Sequence, residues 1–107
     1  MAEIRIKIDG KIKKFAKKEY FIEDNITALK FSLKQEEYLA LEKPTIEDVI
    51  QNQKNFAEFI VEIFGNEFTA DDYIKGGFLE DKKIAENAYI LCMGGKVDDK
   101  EEKKDPK

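Results

Sequence analysis

The sequence has no histidine and no tryptophan, and only one cysteine and two prolines in 107 residues. Without histidine there can be no histidine-based triad and no imidazole metal ligand. A lone Cys92 excludes an intrachain disulfide and a thiol cluster, and it fits a reducing compartment. A nucleophilic role for Cys92 would need a neighbouring base. Its setting, Tyr89-Ile90-Leu91-Cys92-Met93, instead reads as a small buried hydrophobe on a helix. No apolar run approaches the ~20 residues a membrane-spanning helix needs. The N-terminus has no apolar segment of the secretory kind, so neither a leader nor a membrane partner is expected. Phosphate-loop chemistry is missing too. Gly76-Gly77 and Gly94-Gly95 lack the Gly-Lys-Ser/Thr continuation after a strand, and both pairs read as helix ends.

What is present is apolar matter and charge, at 42% and 39% of the chain. The length suits one small domain, marginal enough that sticky apolar faces favour a homo-oligomer or another partner. Charge is uneven: residues 1–24 carry net +2, residues 25–95 net −6, and residues 96–107 net zero. An acidic body argues against nucleic-acid binding, which needs clustered cations. The one basic stretch, Lys11 to Lys18, reads as a solvated hairpin edge guarded by lysines rather than as a phosphate patch.

Glu3-Ile4-Arg5-Ile6-Lys7-Ile8 alternates strictly, as a half-buried strand does. Asp9-Gly10 is a hairpin turn, and Lys11 to Phe15 returns, giving a hairpin over 3–15. Such a hairpin is unstable alone, so its isoleucine face must dock on helices. Tyr20-Phe21-Ile22 is a short apolar entry, a candidate third strand. Asp24 or Asn25 then caps a helix over about 25–43, with Ile26, Leu29, Leu33 and Leu41 as its stripe and Phe31 outside it. Pro44 stops that helix.

Thr45 and Asp48 form a capping box for a helix over 45–64. Its core stripe is Ile46, Val49, Ile50, Phe56, Ile60, Ile63 and Phe64, and Gly65-Asn66 fits a left-handed cap. Thr69 caps a short helix over 69–75, and a last helix runs over 79–93. Residues 1–95 thus make one globular domain. From Lys96 the chain holds one apolar residue, Val97, and is expected to be a disordered charged tail over 96–107. The fold class is α+β and mainly helical, an N-terminal β-hairpin packed on a small helix bundle.

Carboxylate pairs do not make a site. Asp71 and Asp72 are adjacent on a helix, so they point about 100° apart, and a first turn favours acids anyway. Glu36-Glu37 and Glu80-Asp81 read the same way. Asp98-Asp99-Lys100-Glu101-Glu102 lacks the glycine and spacing of a calcium loop. No cofactor or metal is expected. The phenylalanines are more informative, because Phe56, Phe59, Phe64, Phe68 and Phe78 crowd one segment. Some belong to the core. The others would form an interface, where aromatics are enriched. Phe59 is the first candidate, since it points off the Phe56–Ile60–Ile63 line.

The run from Phe59 to Gly76, FIVEIFGNEFTADDYIKG, resembles the tail assembly chaperones of long-tailed bacteriophages of Gram-positive hosts. The order of elements matches as well: hairpin, long helix, Phe-Gly corner, Phe-Thr helix start, final helix, charged tail. The resemblance implies a non-enzymatic protein of the host cytoplasm. It would bind the aggregation-prone tape measure protein, assist tail-tube assembly, and be absent from the mature virion. It also implies a longer product by ribosomal frameshifting, for which Gly94-Gly95-Lys96 is a suitable place. On this reading the partner groove is lined by Phe59, Phe64, Phe68 and Phe78, with Glu58, Glu62 and Glu67 at its rim. Composition alone equally suits a small acidic regulatory protein, such as an inhibitor of a host enzyme.

Overall fold

A type I′ turn closes a hairpin with two residues that both take positive φ, and Asp9 (52°) and Gly10 (78°) do so. In the computed structural model, which describes residues 1–97, β1 (Ala2–Ile8) and β2 (Lys11–Lys17) pair antiparallel on either side of that turn. The hairpin starts one residue earlier and ends two residues later than expected. From residue 98 onward, the expected tail lies outside the described residues. Alternation does what it should in β1: Ala2, Ile4 and Ile6 are buried, while Glu3 and Lys7 face solvent. Strand β2 is the outer edge. Lys11, Lys13, Lys14 and Lys18 are exposed, whereas Lys17 folds inward to Asp24 at 2.9 Å.

Tyr20-Phe21-Ile22 is not a third strand. Helix α1 (Ile22–Leu39) already begins there. Asp24 sets the start from inside the first turn, where its Oδ2 accepts the Phe21 N–H at 2.8 Å. The same carboxylate oxygen accepts from Lys17, so one buried acid joins the hairpin's end to the helix's beginning. The helix stops at Leu39, short of the expected Lys43, and Pro44 lies in the connecting loop.

Helix α2 (Ile46–Ile63) has the expected box. The Asp48 N–H donates to Thr45 Oγ1 at 3.1 Å, and the Thr45 N–H donates to Asp48 Oδ2 at 2.9 Å. Its C-terminus closes as a Schellman motif through Gly65 (φ 84°) and Asn66 (φ 59°), whose N–H groups reach Glu62 O and Val61 O. Helix α3 (Ala70–Gly76) repeats the box with Thr69 and Asp72. The expected final helix divides into a 3₁₀ turn, Leu79–Asp81, and α4 (Lys82–Cys92).

Strand β1 packs on α3 and α4, and α2 lies against α1 and α3. The core joins Ile4 and Ile6 to Phe31, Phe59, Ile60 and Ile63, with Ala85 and Ala88 letting α4 come close. Each fully buried Ile contributes about 1.5–3 kcal/mol. Gly76 and Gly77 do more than end α3. A Cβ on Gly76 would sit 2.1 Å from the Lys7 carbonyl, and Gly77 bridges to Ile6, so the pair lets the helix end touch the strand's backbone.

Candidate partner-binding surface

The four rings expected to line a groove do not do so together. Phe59, Phe64 and Phe68 are buried. Phe59 stacks on Phe31 at 5.7 Å and meets Tyr89 edge-on at 5.5 Å, while Phe68 packs on Phe64 and Phe15. The expectation that Phe59 reaches the surface is therefore corrected. The reason lies in α1: Phe31, which falls outside that helix's aliphatic stripe, is the residue turned inward, and it draws Phe59 in with it. Phe78 alone of the four remains half-exposed. Glu58 and Glu62 are exposed beside Lys30 and Lys34, on the α1 side of α2. Glu67 is exposed in the turn after α2.

The exposed apolar surface is elsewhere. Helix α2 carries one apolar face from end to end, yet the body covers only its C-terminal half. Ile60 is 0% exposed and Ile63 is buried, whereas Ile46 is 68% and Ile50 47% exposed. This corrects the assignment of Ile46 and Ile50 to the core. Beside this bare half the surface dips into two adjoining depressions of about 220 and 260 Å³ that share Gln53, Phe56 and Lys82. Phe31 and Tyr89 close one. Tyr73, Ile74, Phe78 and Leu79 wall the other, and Leu79 stands almost free of the protein. Polar groups are few: Lys82 and Glu86 at the edge, and the amides of Gln35, Asn52 and Gln53. The Gln35 Oε1 and Asn52 Oδ1 atoms are buried without a hydrogen-bond donor among the described residues.

The far wall is held rigidly. Asp81, at the end of the 3₁₀ turn, receives three bonds from Arg5. The backbone N–H and Nε each reach Oδ2 at 3.0 Å, and Nη2 reaches Oδ1 at 2.9 Å. The same guanidinium contacts Glu80 at 3.1 Å and lies 4.5 Å over the Phe78 ring. One outward-facing residue of β1 thus fixes both the turn and the aromatic wall. The Arg5 hydrogen bond holds the Asp81 carboxyl below the usual carboxylate range, against burial, which pushes it up. Sequence reasoning missed this clamp. Arg5 and Asp81 are 76 positions apart, and only Arg5's place on the polar side of an alternating strand hints at a tethering role.

The chemistry of the rest is plain. Burial, with a smaller contribution from Asp24, pushes the Cys92 thiol up to about 11, so at neutral pH it is an uncharged hydrophobe. Burial raises the Tyr73 hydroxyl to about 12. Among the described residues no group of three or more Cys, Asp or Glu side chains is placed to hold a metal ion, and no helix is long and apolar enough to cross a membrane. The surface offers an apolar groove with a sparse polar edge, which can bind another apolar surface.

A family model for phage tail chaperone proteins matches residues 1–107. No curated protein and no solved structure matches the chain. The chain belongs to the phage tail chaperone family.

Proposed function

We propose that this tail chaperone keeps the tape measure protein soluble by laying one of that protein's apolar helices along the bare half of α2. The observation that carries this reading is the pattern of α2 itself. Ile46 and Ile50 continue the face of Ile60 and Ile63 but stand exposed, with Phe56, packed on Phe31 of α1, marking where cover begins. An amphipathic helix is the natural cover, because residues at i, i+4 and i+11 of its apolar stripe would meet Ile46, Ile50 and Phe56, which span ten positions. Phe78, Ile74 and Leu79 then close over its far side. The binding energy is mostly apolar, so affinity should change little with salt. The few charges, Lys82 and Glu86, affect the association rate more.

The reading includes a non-catalytic role in the host cytoplasm, help for tail-tube subunits that polymerise around the tape measure, and absence from the finished virion. It also includes a longer product made by frameshifting near the codons for Gly94-Gly95-Lys96. Co-expression tests the central part. A tape measure fragment should be soluble with the full chain and precipitate without it, and Ile50→Glu should abolish the rescue while leaving the chaperone folded. A fragment equally soluble in both cases, with no co-elution at any salt, would contradict the reading.

A further inference from the structure

Helix α1 has a second apolar face that the groove does not use. Its inward side is Asp24, Ala28 and Phe31. On the far side stand Ile22 (78% exposed), Ile26 (50%), Leu29 (46%) and Leu33 (63%). Their spacing of four, three and four residues is that of a coiled-coil seam. Nothing in the described chain covers it.

We propose that this seam pairs antiparallel with the same seam of a second copy. In an antiparallel pair of α1 helices, one register brings every seam residue into a layer. Ile22 meets Leu33 of the second copy, Ile26 meets Leu29, and each pairing recurs in reverse about the two-fold axis, as an isologous contact requires. The flanking charges fit the same register. Glu23 and Lys30 are the exposed residues beside the stripe on one edge. Their numbers place Glu23 of each copy next to Lys30 of the other. Among the described residues neither has an ion-pair partner within its own chain. A parallel pairing would instead set Lys30 against Asn25 of the other copy and satisfy neither charge. The other edge carries Asn25 and Ser32, which are uncharged and do not oppose the approach.

The seam is short, four layers over about 16 Å of helix. A standard interface buries about 800 Å² on each partner, so this dimer should form in the micromolar range or weaker. The inference goes beyond the groove reading, because α1's outer face and α2's bare face are different surfaces that can be altered separately.

Sedimentation equilibrium on the full chain, up to about 500 µM, tests it on the scale expected for a short interface. The wild type should show a reversible monomer–dimer equilibrium. Leu29→Glu should weaken it by roughly 100-fold or more, because it buries an unpaired charge. Glu23→Lys and Lys30→Glu should each weaken it as single variants, whereas an equimolar mixture of the two should recover dimer, since the two new pairs are then opposite in sign. These charge variants leave the apolar seam unchanged. Any cost from Lys30→Glu beside Glu58 and Glu62, or from Glu23→Lys in α1's first turn, is a loss of monomer stability that mixing the two variants cannot restore. A wild type that stays monomeric throughout, a dimer indifferent to Leu29→Glu, or a mixture no better than its components would each overturn the proposal. So would a monomer whose Leu29→Glu variant instead loses the tape measure fragment, since the seam would then belong to that partner.

Discussion

The two halves of α2 have the same apolar period and opposite fates. From Ala57 to Ile63 the helix is enclosed by α1, α3 and the neighbouring aromatics, with Phe56 at the boundary. From Ile46 to Gln53 one side of the helix lies along the end of α1, through Asp48, Gln51 and Asn52, while Ile46 and Ile50 face water. Burial in the first half supplies the stability of the fold. Exposure in the second half carries a penalty that the fold tolerates, and that penalty is removed if a partner covers the face. The contrast teaches that an apolar stripe states a need for cover without saying whose.

The largest effect should come from the covered half. Ile60→Ala should lower unfolding free energy by about 2–5 kcal/mol, measured by urea denaturation, because Ile60 is fully enclosed. If it costs no more than a surface change, the two halves do not differ as described. Next comes the docking of α3 on β1. Gly76→Ala gains about 1 kcal/mol in helix propensity. It also forces a Cβ against the Lys7 carbonyl. Overpacking of this kind costs about 1–3 kcal/mol. The clash is with backbone, which cannot swing away, so the net change should be destabilising. A stabilised variant would mean that the helix end and the strand are looser than described.

The Arg5–Asp81 clamp should appear as pH dependence. The Asp81 carboxyl is held below its unfolded value, so its contribution is fully present above about pH 4 and is lost as pH falls through the lower folded value. Asp81→Asn should lower Tm at pH 7 and flatten the decline in stability below pH 4. A variant whose acid limb matches the wild type would remove Asp81 from the account.

Smaller effects should come from the bare half. Thr45→Ala removes the box that holds α2's first turn, where little packing assists. It should cost about 1 kcal/mol and speed hydrogen exchange in residues 49–53 more than in residues 57–63. Ile50→Ala should change stability by no more than about 0.5 kcal/mol, while weakening partner binding. A large loss of stability would mean that the face is covered in the free protein.

Local signals were the most legible. The hairpin turn, the Thr45–Asp48 box, the Thr69 cap, the Gly65-Asn66 cap and the burial of Cys92, Ile60 and Ile63 each depend on a few neighbouring residues. The four-helix order and the family resemblance could be read for the same reason. What failed was the assignment of faces. Helix α1 has two apolar sides, and the more regular one, Ile26-Leu29-Leu33, turned out to be the outer one. Ring stacking of Phe31 on Phe59 outweighed the count of aliphatic residues. Gly76-Gly77 was read as a helix end, but the close approach to β1 was invisible because Lys7 is remote in sequence. The groove was misplaced because it depends on how far the body extends along α2, which no periodicity reveals.

The central claim is that the bare half of α2 is where a partner helix lies. Hydrogen exchange of the full chain with and without a tape measure fragment tests it most directly. The account predicts that binding slows exchange at residues 50–56 and at 74–79, the two walls of the groove, by tenfold or more, about 1.4 kcal/mol of local protection. Exchange in the already protected 57–63 segment should barely change. Protection confined to other surfaces, with residues 50–56 exchanging as fast as in the free protein, would contradict it.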